Sequence, residues 1–120
     1  MANILIVDDS RTSRRVLRDM LEKHGHVIVD EATNGQEGFD DYGKLNPDIV
    51  TMDITMPVMD GIESLKLIHK AYPESKVIMI TAAGQNEKVK EALENGATEF
   101  ITKPLDEDKV ISAIEKVMKK

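Results

Sequence analysis

Ile4-Leu5-Ile6-Val7-Asp8-Asp9 is a short apolar run that stops abruptly on two carboxylates. Four consecutive branched aliphatic residues suit a strand covered on both faces, as in a parallel sheet, rather than the in/out alternation of a one-sided sheet. Four more runs come after it: Val27-Ile28-Val29, Ile49-Val50-Thr51-Met52, Val77-Ile78-Met79-Ile80 and Phe100-Ile101. Between them lie segments of helical period. Val16, Leu17, Met20 and Leu21 form a first apolar stripe, stopped by Gly25. A second helix over about 35–45 carries Phe39 and Tyr42 and must end before Pro47. Ile62, Leu65, Ile68, Ala71 and Tyr72 mark a third, ending before Pro73. The fourth, about Asn86 to Asn95 with Gly96 as its cap, has little to bury beyond Val89, Ala92 and Leu93, so it should be the least firmly anchored. Val110, Ile114, Val117 and Met118 mark the fifth. Five βα units with right-handed crossovers predict an α/β, doubly wound (βα)5 flavodoxin-like domain over 1–120, with parallel sheet order 2-1-3-4-5.

Composition narrows the function. At 120 residues, 41% hydrophobic and 32% charged, the chain is long enough for one core and too short for a closed eight-unit barrel. It has no Cys, which removes disulfides, thiolate metal sites and a cysteine nucleophile, and which suits a cytoplasmic setting. The opening residues lack the pattern of a signal peptide, and no apolar stretch approaches the length of a membrane span. A net charge of −6 with 3% aromatic residues disfavours direct nucleic-acid binding. Proteins and cations are the expected partners.

The residues at the strand ends carry the chemistry. Strand one ends in Asp8-Asp9, strand three in Asp53, strand four in Thr81 and strand five in Lys103-Pro104. In a doubly wound sheet these positions share one edge, and Asp8, Asp9 and Asp53 straddle the point where chain direction reverses. Taken singly each has a plain reading: the acidic pair as a turn or helix cap, Thr81 as a strand-end hydroxyl bonded to backbone, Lys103 as a solvated charge. Asp53 is harder to set aside, because an ionised carboxylate ending a central strand is costly unless compensated. Three carboxylates about 5 Å apart repel by roughly 3 kcal/mol per pair at an effective dielectric near 20. An all-oxygen donor set favours Mg²⁺, with Mn²⁺ as the alternative, and three carboxylates, one divalent cation and the Lys103 ammonium sum to zero charge. This is the constellation of a phosphoryl acceptor, with Asp53 as candidate nucleophile. A phosphoryl ester of about −2 on Asp53 should draw the nearest donors, Thr81 and Lys103.

The sequence resembles the receiver domains of bacterial response regulators, most of all the stand-alone CheY-like type. The matching pieces run through the chain: Ile4 to Ser10, Ala32-Thr33-Asn34-Gly35, Pro47 to Asp53, Met56 to Gly61, Ile80-Thr81-Ala82, and Gly96-Ala97 leading into Phe100 to Pro104. The resemblance implies phosphorylation of Asp53 by a histidine kinase or phosphotransfer protein. It implies Mg²⁺ bound by Asp9, Asp53 and the backbone carbonyl of Thr55, with Asp8 acting through water. It implies Thr81 and Lys103 on the phosphoryl group, a cis bond before Pro104, and an output face of the fourth helix, fifth strand and fifth helix for a downstream protein, in a chain that is monomeric before phosphorylation. Chemotaxis is one pathway this suggests. Such a domain is a stoichiometric acceptor, not a turnover enzyme, although it catalyses its own phosphorylation and dephosphorylation. Thr55 and Ala83 stand where receivers vary and where side chains tune adduct lifetime.

Phe100 occupies a position where receivers often carry an aromatic switch residue. Lacking a hydroxyl, it is expected to stay buried in either state, which would mute a rotamer swing. Two rival classes are a haloacid-dehalogenase-like aspartyl-phosphate phosphatase and a flavin- or nucleotide-binding flavodoxin-like module. The first commonly needs an Asp where Thr55 stands. The second could use Ser10, Thr12 and Ser13 as a phosphate loop but has neither GxGxxG nor GxxxxGK[ST]. His24 and His26 read as solvated or capping residues and His69 as exposed. Met56 and Met59 read as gap fillers, with an adaptive contact surface as the alternative.

Overall fold

A computed structural model describes residues 1–120. The order is β1 (Asn3–Val7), α1 (Arg11–Lys23), β2 (Val27–Ala32), α2 (Gly35–Leu45), β3 (Ile49–Asp53), α3 (Gly61–Ala71), β4 (Val77–Thr81), α4 (Asn86–Glu94), β5 (Glu99–Thr102) and α5 (Glu107–Met118). The strands form one parallel sheet in the order β2-β1-β3-β4-β5, as the sequence predicts. Every residue of β3 and β4 is buried, which is why those runs read as continuous apolar stretches. The edge strands are longer than their apolar runs. β2 continues through Asp30 and Glu31 to Ala32 because one flank of an edge strand tolerates charge.

Alternate strand residues point to opposite faces and build two separate cores. Ile4, Ile6, Ile49, Ile78, Ile80 and Ile101 pack with Leu17 and Leu21 of α1 and with Val110, Ile114 and Val117 of α5. Leu5, Val7, Val50, Met52, Val77 and Met79 pack with Tyr42 of α2, with Ile62, Leu65 and Ile68 of α3, and with Ala92 of α4. Ala92 is the one buried residue of α4, matching its expected weak anchorage.

Several sequence expectations need correction. Val16 does not join the stripe of α1 and is exposed, because the core-facing side is the line of Leu17 and Leu21. Leu93 and Met118 also face outward. His69 is half-buried rather than exposed. Its ring lies against Gly96, where an added Cβ would fall 2.6 Å from the imidazole, and its Nδ1 has no hydrogen-bond partner. Gly96 has φ +101°, so a backbone that suits glycine lets the turn after α4 close over this ring. His24 is the exposed C-cap of α1, as expected, with Nε2 3.2 Å from Glu107, whereas His26 is neither solvated nor a helix cap: it is half-buried and its Nδ1 accepts from the Ala2 N–H at 3.1 Å.

Thr51 sits in the middle of β3, 1% exposed, and its hydroxyl has no partner. Burying an unpaired hydroxyl costs free energy that an isosteric methyl would not. Thr51→Val should therefore raise the unfolding free energy by about 1 kcal/mol in urea titrations. An unchanged or lower midpoint would contradict this account of the strand.

Candidate functional site

The carboxyl ends of β1 and β3 lie side by side, with Val7 paired to Met52, so the residues after each strand emerge together. One carboxylate oxygen each from Asp8, Asp9 and Asp53 lies within 4.8 Å of the others. Asp8 and Asp53 are buried and Asp9 is exposed. Lys103 reaches in from the end of β5, with Nζ 3.4 Å from Asp53 Oδ1 and 3.6 Å from Asp8 Oδ2. Its backbone is held to β4 by Lys103 N–H donating to Thr81 O at 2.7 Å, and its peptide bond to Pro104 is cis.

Burial raises the pKa of Asp53 to about 6, and the charge of Asp8 pushes the same way while Lys103 partly offsets both. One ammonium does not neutralise three carboxylates, so the site has a deficit of positive charge that a hard divalent cation fits. The oxygen-only donor set and the exposure of Asp9 suit an ion such as Mg²⁺ that keeps part of its water shell.

Other expected site residues lie around this cluster at differing distances. Thr81 is buried, and its hydroxyl points toward β5, with Ile101 O at 3.5 Å and Thr102 Oγ1 at 3.4 Å. Those long contacts hold it loosely. Thr55 is exposed beside the cluster, and its carbonyl accepts no main-chain hydrogen bond. Ala83 is exposed in the loop after β4.

Phe100 contradicts the expectation of burial. It is 39% exposed, because on edge strand β5 the side chain that turns inward toward α1 and α5 is Ile101. Phe100 faces the side of the sheet where α4 supplies only Ala92. Burial therefore restrains the ring only in part.

Two residues around the site escaped the sequence reading. Arg14 is largely buried, and its Nη1 donates to the Asp8 carbonyl at 2.8 Å while Nε meets Glu31 at 3.0 Å. Arg18 meets the other oxygen of Glu31 at 2.7 Å. The pair of guanidinium groups holds the Glu31 carboxyl below its usual range despite the opposing effect of burial. A signal for Arg14 exists in the sequence, since it falls one turn before Leu17 and Arg18 on the inner side of α1. Gln85 is the second: its side chain bridges the loops after β3 and β4. Nothing in its local sequence announces this.

The fold and site together define a doubly wound α/β protein with a clustered acidic site and an opposed lysine at the carboxyl edge of its sheet. Residues 4–115 match the response regulator receiver domain, and the chain belongs to that family. It is 47% identical over 116 residues to the chemotaxis protein CheY of Thermotoga maritima, covering 97% of each chain. It is 48% identical over 118 residues to protein CcdB of Bacillus subtilis, covering 98% of each. Among solved structures, the complex of CheX, CheY, BeF3 and Mg²⁺ from Borrelia burgdorferi aligns with TM-score 0.93 and 43% identity, covering 98% of this chain and 90% of that one. These matches do not favour the phosphatase or flavodoxin-like alternatives. No helix is long and apolar enough to cross a membrane.

Proposed function

We propose that residues 1–120 act as one cytoplasmic receiver domain, monomeric until it accepts a phosphoryl group on Asp53 from a phosphohistidine of a histidine kinase or phosphotransfer protein. In that step an Asp53 carboxylate oxygen forms a bond to phosphorus, the phosphorus–nitrogen bond of the donor breaks, and the imidazole nitrogen takes up a proton. The transfer is stoichiometric. The observation that carries the reading is Lys103 Nζ, 3.4 Å from Asp53 and 3.6 Å from Asp8, facing three carboxylates that share one small volume.

Asp8, Asp9, Asp53 and the Thr55 carbonyl are the groups that would hold Mg²⁺, with Mn²⁺ as a substitute. A bound cation supplies charge neutralisation for the oxygens in transfer. Lys103 is placed to answer the added negative charge, and Thr81, held only by long contacts, has a hydroxyl free to turn toward it. Exposed Thr55 and Ala83 flank the path by which water reaches the adduct. The surface of α4, β5 and α5, with Phe100 exposed on it, is the one we assign to a downstream protein. A role in chemotaxis rests on likeness to the CheY relatives.

Incubating the protein with acetyl phosphate and reading intact mass tests this directly. A single phosphoryl adduct should form with Mg²⁺ present and vanish with chelator. Wild-type protein that takes no adduct with Mg²⁺, or takes it equally without metal, would overturn the proposal.

A further inference from the structure

Four of the five helices begin beneath a side chain that accepts from an amide of the first turn: Ser10 from Ser13, Asn34 from Glu37, Asp60 from Glu63 and Asp106 from Lys109. α4 is the exception. Its cap residue, Gln85, makes no such bond and turns backward instead. Gln85 Oε1 accepts from the Ala82 N–H at 2.7 Å, and Nε2 donates to Thr55 Oγ1 at 3.2 Å. One side chain thereby ties the loop that leaves β3 two residues past Asp53 to the loop that leaves β4 one residue past Thr81. It also leaves the first amides of α4 without side-chain support.

Both donors at the end of β4 are thus engaged away from Asp53: the Thr81 hydroxyl with β5, the Ala82 N–H with a neutral carbonyl. Asp53 pairs with Ile80 in the sheet, so Ala82 lies only two residues beyond that partner, where the chain leaves β4. An N–H bonded to an anionic oxygen makes a bond about twice as strong as one to a neutral acceptor. A phosphoryl group on Asp53 therefore competes with Gln85 for the Ala82 N–H, and Gln85 is the weaker partner. Once displaced, its hold on Thr55 is lost as well, and α4 retains only Ala92 as a buried anchor.

We propose that Gln85 is a positioning latch, restraining the start of α4 through Ala82 and Thr55 until phosphorylation takes the Ala82 amide from it. This rests on the assignment of Asp53 as phosphoacceptor. Gln85→Met keeps the length of the side chain and removes both polar links, whereas Gln85→Glu keeps an acceptor for the Ala82 N–H and for the Thr55 hydroxyl. Amide exchange over residues 84–90 is the readout, with α1 and α5 as internal controls for global unfolding.

Without phosphodonor, Gln85→Met should exchange about tenfold faster than wild type over 84–90 alone, and Gln85→Glu should exchange no faster than wild type. With acetyl phosphate and Mg²⁺, wild type should rise toward the Gln85→Met level, while Gln85→Met itself changes little. Equal exchange in unphosphorylated wild type and Gln85→Met overturns the latch, whatever Asp53 does. Intact mass on the same samples separates the two ideas. An adduct on wild type with no rise in exchange overturns the release by phosphorylation, whereas the absence of any adduct overturns the phosphoacceptor assignment and leaves the unphosphorylated comparison to judge the restraint.

Discussion

Asp53→Asn should take no phosphoryl adduct under conditions that label wild type, and in chelator at pH 7.5 it should also unfold at a higher temperature than wild type. The second half is a matter of electrostatics. The folded-state pKa of Asp53 is raised from 3.8 to about 6, chiefly by burial and then by Asp8. Between those two values the native state keeps a proton that the unfolded state has shed, so stability falls as pH rises through that interval. Above it, the ionised group lowers metal-free stability by roughly 3 kcal/mol, at 1.36 kcal/mol for each pH unit of difference. The amide of Asn carries no charge and removes this cost. The variant should melt about 5 °C or more above wild type in chelator, with the gap closing as pH is lowered toward 4. Saturating Mg²⁺ should narrow the gap by stabilising wild type, because binding to the native state alone shifts the folding equilibrium. An adduct on the Asn variant would contradict the assignment of Asp53. An equal or lower melting point in chelator would contradict the picture of an overcrowded acidic site.

Gly61→Ala should be the most damaging single methyl addition near the site. A Cβ at Gly61 would lie 2.0 Å from the Asp53 carbonyl oxygen, 2.9 Å from its carbonyl carbon and 3.0 Å from Ile54 Cα. All three are main-chain atoms, so no rotamer change relieves the overlap. The Gly61 N–H also donates to the Ile54 carbonyl at 2.7 Å, which pins the start of α3 against the end of β3. Room for the methyl requires that these two elements separate, and β3 carries Asp53. We expect a loss of about 3 kcal/mol or more in urea unfolding. Protein that remains folded at low temperature should need more Mg²⁺ for half-maximal adduct formation. A change below about 0.5 kcal/mol would mean that the close approach at Gly61 is dispensable.

The fold is readable from the chain because its central strands are covered on both sides, so their side chains advertise burial at every position. The convergence of Asp8, Asp9, Asp53 and Lys103 is readable for a topological reason, since each sits at the end of a strand and parallel strands all finish at the same edge. The misreadings come from the periphery. Periodicity puts Val16 in the stripe of α1 because it cannot say which edge of an apolar stripe turns outward. Hydrophobicity puts Phe100 inside, but an edge strand beside a thinly packed helix leaves that flank open to water. Gln85 is invisible in the sequence because its role depends on two loops whose meeting is a tertiary fact. Arg14 stands between these cases: a charge on the inner side of α1 asks for a partner, and Glu31 on β2 supplies it.

α4 meets the interior through Ala92 alone, in a helix of nine residues. Val89 and Glu91 are half-buried and Glu91 meets Lys66 of α3, but the other positions are exposed, so their identities can diverge without disturbing how the chain folds. Evolution or an engineer can therefore re-address the protein to a different recipient by rewriting that outer strip, while the acidic centre and the two cores are inherited unchanged.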